Sequence, residues 1–163
     1  PAGNKIYKIE TKAALKNLIF LFKKWKNFLI DRGDLSKDIG IENVPIAQRE
    51  VFKIKKKFKN IKVSVATNYL ESMIDKPFPT RAEVNDIFNA LEMGSNGLVL
   101  AAETAIGKYP TECVNLIRKI IKVYKKNFKL IWAFISDPIQ LRRKCFLSWK
   151  KMMYRFQIFF ILT

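Results

Sequence analysis

Residues 61–68 read IKVSVATN, a short valine-rich run that ends in polar residues. Its length and its β-branched side chains are typical of a buried strand. Residues 46–58 before it and residues 81–93 after it carry apolar side chains at helical spacing. Because parallel strands need a crossover connection, a strand set between two helices predicts a parallel sheet.

The same alternation extends over most of the chain. Strands are predicted at residues 5–10, 28–30, 61–66 and 97–101, and helices at residues 12–26, 46–58, 81–93 and from Pro110 onward. Pro45 is placed for a helical first turn, and Thr80 stands three residues before Glu83, the spacing of a capping box. The order βαβαβαβα predicts an α/β fold whose sheet is buried on both faces. A doubly wound sheet and a barrel of β/α units both fit this order.

The net charge of the chain indicates which kinds of binding partner to expect. The net charge is +17, with 31 lysines and arginines against 14 acidic residues, in a chain that is 49% hydrophobic. Such an excess predicts an anionic partner, which could be a nucleic acid, an acidic membrane or a phosphorylated substrate, or it reflects only a lysine-rich coding bias. The lysines are scattered and are not interleaved with aromatic residues, so no nucleic-acid stacking platform is expected.

The residue types exclude several kinds of chemistry. The chain has no histidine, which excludes histidine-dependent acid–base catalysis and the Ser-His-Asp triad. Its two cysteines, Cys113 and Cys145, are far apart, so neither a zinc site nor a disulfide framework is expected and a reducing cytoplasm is predicted. No apolar run is long enough for a membrane span, and no nucleotide-binding glycine motif follows a strand. The first residue is not methionine, so we expect a piece of a longer chain.

Polar side chains follow every predicted strand at its C-terminal end. They are Lys8 and Glu10, then residues 31–34, then Thr67 and Asn68, then Glu103 and Thr104. In parallel α/β folds this end of the sheet forms the active face. Four consecutive strands that end this way favour the barrel and predict a site there.

The chemistry of those ends points to a metal. Glu10 and Asp34 are expected on neighbouring strands, and paired carboxylates suit Mg²⁺ or Mn²⁺. Lys8 lies two residues before Glu10, which places both side chains on one face of a strand. A lysine beside a metal can stabilise a transferring phosphoryl group or an enolate. Gly33 lets a ligand approach the backbone, and Thr67 can contact the reacting carbon skeleton.

Each of these residues also has a purely structural interpretation. Lys8 and Glu10 are compatible with an ordinary surface ion pair, which would contribute little to stability. Asp34 is compatible with a helix cap, and Thr67 with a buried hydroxyl at a strand end. Taken separately, each interpretation is adequate. Together they do not explain why all four residues are expected on one rim.

Five segments of the chain resemble pyruvate kinase in sequence, order and spacing. They are KIE at residues 8–10, RGDL at 32–35, ATNYLESM at 66–73, KPFPTRAE at 76–83 and ETAIGKYP at 103–110. The resemblance covers residues 1–126, and it implies the second half of a (β/α)₈ barrel, strands five to eight. It also implies a cytoplasmic, Mg²⁺-dependent phosphotransferase of glycolysis that converts phosphoenolpyruvate and ADP into pyruvate and ATP.

The resemblance also implies roles for individual residues. Lys8 would lie at the transferring phosphoryl group, and Glu10 and Asp34 would hold the divalent metal. The backbone around Gly33 and Asp34 would bind the substrate carboxylate, and Thr67 would lie over the enolate. Lys8 and Thr67 are thus the expected catalytic residues. The family's K⁺ site and much of its nucleotide site would lie outside this chain, and the full-length protein would be a homotetramer.

The chain departs from the family pattern at several positions. Asp31 stands where alanine is common, and Asn68 stands where glutamine is usual. Ser36 replaces a common glycine, and Ala101-Ala102 replace a usual Ser-Gly pair. A barrel of this kind needs about 250 residues, and half of one leaves strand edges open, so the isolated chain is expected to be inactive.

The resemblance stops at Asn127, and residues 127–163 form a basic, apolar tail. A shifted or decayed reading frame, a membrane-surface segment and a helix over the open sheet edge are the three interpretations of this tail. For the whole chain the alternative function is a non-catalytic basic domain that binds nucleic acid or anionic lipid, or a decayed gene fragment. Salt-dependent retention on DNA or acidic vesicles would favour the binding domain.

Overall fold

The computed structural model describes the backbone of residues 5–136 and the side chains of residues 5–127. Four strands form one sheet in the order β1-β2-β3-β4, and all neighbours are parallel. The strands are β1 (Tyr7–Ile9), β2 (Asn27–Asp31), β3 (Lys62–Ala66) and β4 (Gly97–Val99). The predicted parallel sheet of an α/β fold is therefore confirmed.

Helices connect the strands. They are α1 (Lys12–Lys16), α2 (Leu18–Lys24), α3 (Arg32–Ile39), α4 (Val44–Lys55), α5 (Arg81–Glu92), α6 (Ala102–Ala105) and α7 (Pro110–Ser136), with short 3-10 helices at Ile41–Asn43 and Glu71–Ile74. In the part of the chain that the structure describes, no helix has both the length and the apolar character needed to cross a bilayer.

The core lies between the sheet and its helices. Phe28 and Ile30 on β2 and Val63 and Val65 on β3 alternate along their strands and are fully buried. They join apolar side chains from α2, α4, α5 and the first turns of α7 in one cluster. The residues between them on the strands are only partly buried, so the expectation of a sheet buried on both faces is wrong for these strands. Helices cover one face here, which is the face that the alternating apolar residues occupy.

Local signals explain most helix boundaries. The hydroxyl of Thr80 accepts from the Glu83 N–H (3.2 Å), and the Glu83 carboxylate accepts from the Thr80 N–H (2.6 Å), so the predicted capping box is confirmed. Pro45 lies in the first turn of α4, as predicted. The single helix predicted over residues 12–26 is wrong, because Asn17 ends α1 and its side chain donates to the Ala13 carbonyl (2.9 Å).

The contacts of the chain define two units, one that ends at Ile121 and one that begins at Lys122. The first unit contains the whole sheet and helices α1 to α6. The described part of the second is the later portion of α7. The predicted domain boundary at residue 126 stays a prediction, and the interpretations of the tail fall largely on residues 137–163, outside the described part.

Candidate functional site

The C-terminal ends of β1, β2 and β3 meet at one edge of the sheet. Ile9 lies opposite Ile30, and Asp31 lies opposite Ala66, so the three strands end at nearly the same level. The residues that follow them, Glu10, residues 32–34 and Thr67, are therefore neighbours. The prediction that these side chains share one rim agrees with this register.

The ammonium group of Lys8 lies among three carboxylates. Its Nζ is 2.5 Å from Glu10 Oε2, 3.0 Å from Asp31 Oδ2 and 3.5 Å from Asp34 Oδ2. A hydrogen bond to Glu10 and a second one to Asp31 raise the pKa of Lys8 above its usual range, which favours the ammonium form. On the outer side, Lys37 Nζ is 2.9 Å from Asp34 Oδ1 and lowers the pKa of Asp34.

The same carboxylates could hold a metal ion. One oxygen from each of Glu10, Asp31 and Asp34 lies within 4.8 Å of the other two. Carboxylate oxygens are the ligands that Mg²⁺ prefers, and this cation keeps several waters and substrate oxygens around a few protein ligands. Glu10 and Asp34 are the more exposed carboxylates of the three, and they therefore fit a hard divalent cation. An open hollow of about 300 Å³ borders Glu10 and Asp34.

Asp31 has a structural role that the sequence did not show. It is the N-cap of α3, and its Oδ1 accepts from the Asp34 N–H at 3.4 Å. Its side chain is only 15% exposed, against 48% for Asp34. The idea that Asp34 caps a short helix is therefore wrong, because Asp34 lies inside the first turn and Asp31 supplies the cap.

Thr67 holds the start of α3 against the end of β3. Its Oγ1 accepts from the Gly33 N–H (3.0 Å) and donates to the Ala66 carbonyl (2.6 Å). Thr67 has a φ of 74° and Asn68 a φ of 55°, a left-handed conformation that is uncommon for non-glycine residues. Two adjacent residues in this region need support from their surroundings.

Arg32 supplies that support. Its Nε and Nη2 both donate to the Thr67 carbonyl, at 3.2 and 2.5 Å. Nη1 pairs with Asp86 on α5 at 2.5 Å, and the guanidinium stacks over the buried Tyr69 ring at 4.3 Å. Sequence reasoning missed this role, although an arginine that directly follows a strand and precedes a glycine was a visible signal. A groove of about 270 Å³ lies beside Arg32 and Gly33.

Glu103 does not face the candidate site. Its side chain is 1% exposed, and its two oxygens accept from the backbone N–H groups of Leu70 (3.3 Å) and Ala101 (2.9 Å). It joins the segment after β3 to the segment after β4. Its place in the sequence, after the fourth strand, could not distinguish this structural carboxylate from a ligand-facing one.

Comparisons with known proteins agree with one another. A family model described as "Pyruvate kinase, barrel domain" matches residues 3–114. The chain is 48% identical over 132 residues to pyruvate kinase from Thermotoga maritima, covering 81% of this chain and 28% of that protein. It is 42% identical over 124 residues to pyruvate kinase from Methanocaldococcus jannaschii, covering 76% of this chain and 28% of that protein.

A solved structure shows the same similarity in three dimensions. The crystal structure of pyruvate kinase from Pyrobaculum aerophilum superimposes with a TM-score of 0.68 at 40% sequence identity. The match covers 72% of this chain and 28% of that one. The chain thus spans somewhat more than a quarter of the length of each of these three relatives.

Proposed function

The chain belongs to the pyruvate kinase family, and from that premise we propose that it is part of a phosphotransferase acting on phosphoenolpyruvate and ADP. Its four parallel strands would be strands five to eight of a (β/α)₈ barrel. The observation that carries this proposal is the Lys8 ammonium held among the carboxylates of Glu10 and Asp34 at the strand ends.

Each residue has a task in this proposal. The Lys8 ammonium, which its hydrogen bonds to Glu10 and Asp31 favour, would stabilise the negative charge that spreads over a transferring phosphoryl group. Glu10 and Asp34 would hold Mg²⁺, which when bound neutralises phosphate and enolate oxygens. The backbone N–H groups of Gly33 and Asp34, at the start of α3, would orient the substrate carboxylate.

Thr67 is proposed as the residue over the enolate carbon. Its hydroxyl is fixed by the Gly33 N–H and the Ala66 carbonyl, so it is positioned before any substrate arrives. A positioned hydroxyl can donate to or accept from a reacting group without a reorganisation cost. Arg32 would act through Thr67 by holding its carbonyl, and is a positioning residue.

Other properties of the family come to this chain only as proposals. K⁺ and most of the nucleotide would bind outside the described residues, the full-length protein would be a homotetramer, and its compartment would be the cytoplasm. We expect the isolated chain to bind Mg²⁺ with a small anion but not to turn over, because a complete barrel takes about 250 residues. A coupled assay that detects pyruvate formation by the purified chain would overturn this expectation.

The proposal is tested by Mg²⁺-dependent binding of oxalate, a small dicarboxylate that resembles the enolate of pyruvate. Calorimetry should show oxalate binding that needs Mg²⁺ and is lost in Asp34→Ala. Glu50→Gln is the matched control, because Glu50 is an exposed acid on α4 paired only with Lys53 among the described contacts. If Asp34→Ala bound Mg²⁺ and oxalate as the control does, the metal assignment would be wrong.

A further inference from the structure

The backbone groups proposed to receive the substrate carboxylate are already engaged by side chains of this chain. The Gly33 N–H donates to Thr67 Oγ1 at 3.0 Å, and the Asp34 N–H donates to Asp31 Oδ1 at 3.4 Å. A ligand carboxylate that uses the Asp34 N–H therefore has to displace Asp31.

Asp31 makes a second contact of the kind that an anionic ligand would make. While Oδ1 lies at the start of α3, Oδ2 is 3.0 Å from the Lys8 ammonium. One carboxylate thus bridges a helix N-terminus and the proposed catalytic lysine. Asp31 Oδ1 also lies 3.5 Å from the point that a Cβ on Gly33 would occupy, so it borders the space that the glycine leaves free for a ligand.

We propose that Asp31 is an internal competitor, a built-in carboxylate that occupies part of the substrate-carboxylate position and lowers the affinity of the site for small dianions. This inference rests on the proposed function, since it concerns the same site. Two consequences follow from the contacts. An incoming anion must break the Asp31 contacts with Lys8 and with the Asp34 N–H, and it must also approach a carboxylate that remains nearby.

The local charges support this role. Glu10, Asp31 and Asp34 are three carboxylates that face two ammonium groups, Lys8 and Lys37, in the described part of the site. Without Asp31 the remaining carboxylates and ammonium groups would balance, and Lys8 would be more available to an external anion. Arg32, which directly precedes Gly33, is paired with Asp86 and the Thr67 carbonyl.

The test compares oxalate binding at saturating Mg²⁺ in the wild-type chain, Asp31→Ala and Asp31→Ser. Alanine removes both the charge and the N-cap, whereas serine keeps a capping hydroxyl and removes only the charge and the reach to Lys8. We expect both variants to bind oxalate roughly tenfold more tightly than wild type, because a like charge beside a bound anion is removed. The NMR signals of the Gly33 and Asp34 amides should shift at correspondingly lower oxalate concentration.

The outcomes separate the two proposals. Equal or weaker oxalate binding in Asp31→Ser, with wild-type binding that still depends on Asp34, overturns the competitor role alone. Absence of Mg²⁺-dependent oxalate binding in all three proteins overturns the proposed function and the competitor role together. If Asp31→Ala fails to fold, as judged by its thermal unfolding, Asp31→Ser decides. Glu50→Gln, which removes one distant negative charge, should leave the affinity at the wild-type value.

Discussion

Glu103→Gln tests whether a buried carboxylate fixes two loops at the rim of the sheet. Both oxygens of Glu103 accept backbone N–H groups, at 3.3 Å from Leu70 and 2.9 Å from Ala101, and the side chain is 1% exposed. Glutamine has the same shape but offers only one oxygen. Its amide nitrogen would face one of the two N–H groups, so a donor would meet a donor.

The expected cost follows from that mismatch. A hydrogen bond to a charged acceptor is lost, and a buried N–H is left without a partner, each worth about 1–3 kcal/mol. Part of this cost is offset because the variant no longer buries a charge. We therefore expect the free energy of unfolding to fall by about 2 kcal/mol.

Urea unfolding followed by circular dichroism measures this change. For a domain of this size a loss of about 2 kcal/mol lowers the midpoint by about 1 M urea. Glu112→Gln is the matched control, because Glu112 is an exposed glutamate in the first turn of α7 and its replacement should shift the midpoint by far less. If Glu103→Gln unfolded at the wild-type midpoint, the two backbone contacts would not hold the loops and the structural role would be refuted.

Three further predictions follow from the same contacts. Gly107→Ala should destabilise the chain by about 2 kcal/mol or more, because a Cβ there would overlap the backbone of Glu103, and an unchanged thermal midpoint would contradict this. Gly33→Ala should fold with a stability within about 1 kcal/mol of wild type, since its Cβ would make only ordinary contacts. The same variant should bind oxalate more weakly in the presence of Mg²⁺, and wild-type affinity would contradict this. Burial raises the pKa of Glu83, but hydrogen bonds from Ser72 and the helix cap outweigh it and lower that pKa below the ordinary 4.5. The stability that the ionised Glu83 contributes is therefore present above pH 4.5 and is lost as the pH falls through the folded-state pKa. The difference in the free energy of unfolding between wild type and Glu83→Gln should shrink from about pH 6 to about pH 3. A difference that stays constant over this range would contradict the prediction.

The sequence predicted the sheet well because its signals are local. The strand at 61–66 and the capping box at Thr80 depend on residues within one turn or one strand, and both agree with the structure to within a residue. The bounds of helix α3 were not predicted and its cap was assigned to Asp34, because the helix begins directly after β2 and Asp31 is both the last strand residue and the cap. Local patterns cannot show that one residue ends a strand and caps a helix at the same time.

The sequence predicted that Lys8, Glu10 and Asp34 lie near one another, but it did not predict their contacts. Placing Lys8, Glu10 and Asp34 on one rim required only the parallel order and the period of two along a strand. Glu103 follows its strand in the same way, yet its side chain turns inward to the backbone of two loops. The direction of a side chain beyond a strand end depends on the loop conformation, which is set by tertiary contacts.

The left-handed conformation of Thr67 shows how those contacts depend on one another. A non-glycine residue at this φ is stable only where its surroundings compensate, and here Arg32 binds its carbonyl twice while Asp86 and the Tyr69 ring hold Arg32. That conformation is the one in which the Thr67 hydroxyl reaches the Gly33 N–H. The proposed substrate position is therefore assembled by side chains from α3, from α5 and from the segment that follows β3. A change at Asp86, which makes no direct contact with Lys8, Glu10 or Asp34 among the described bonds, should for this reason weaken anion binding by releasing Thr67 rather than by removing a ligand.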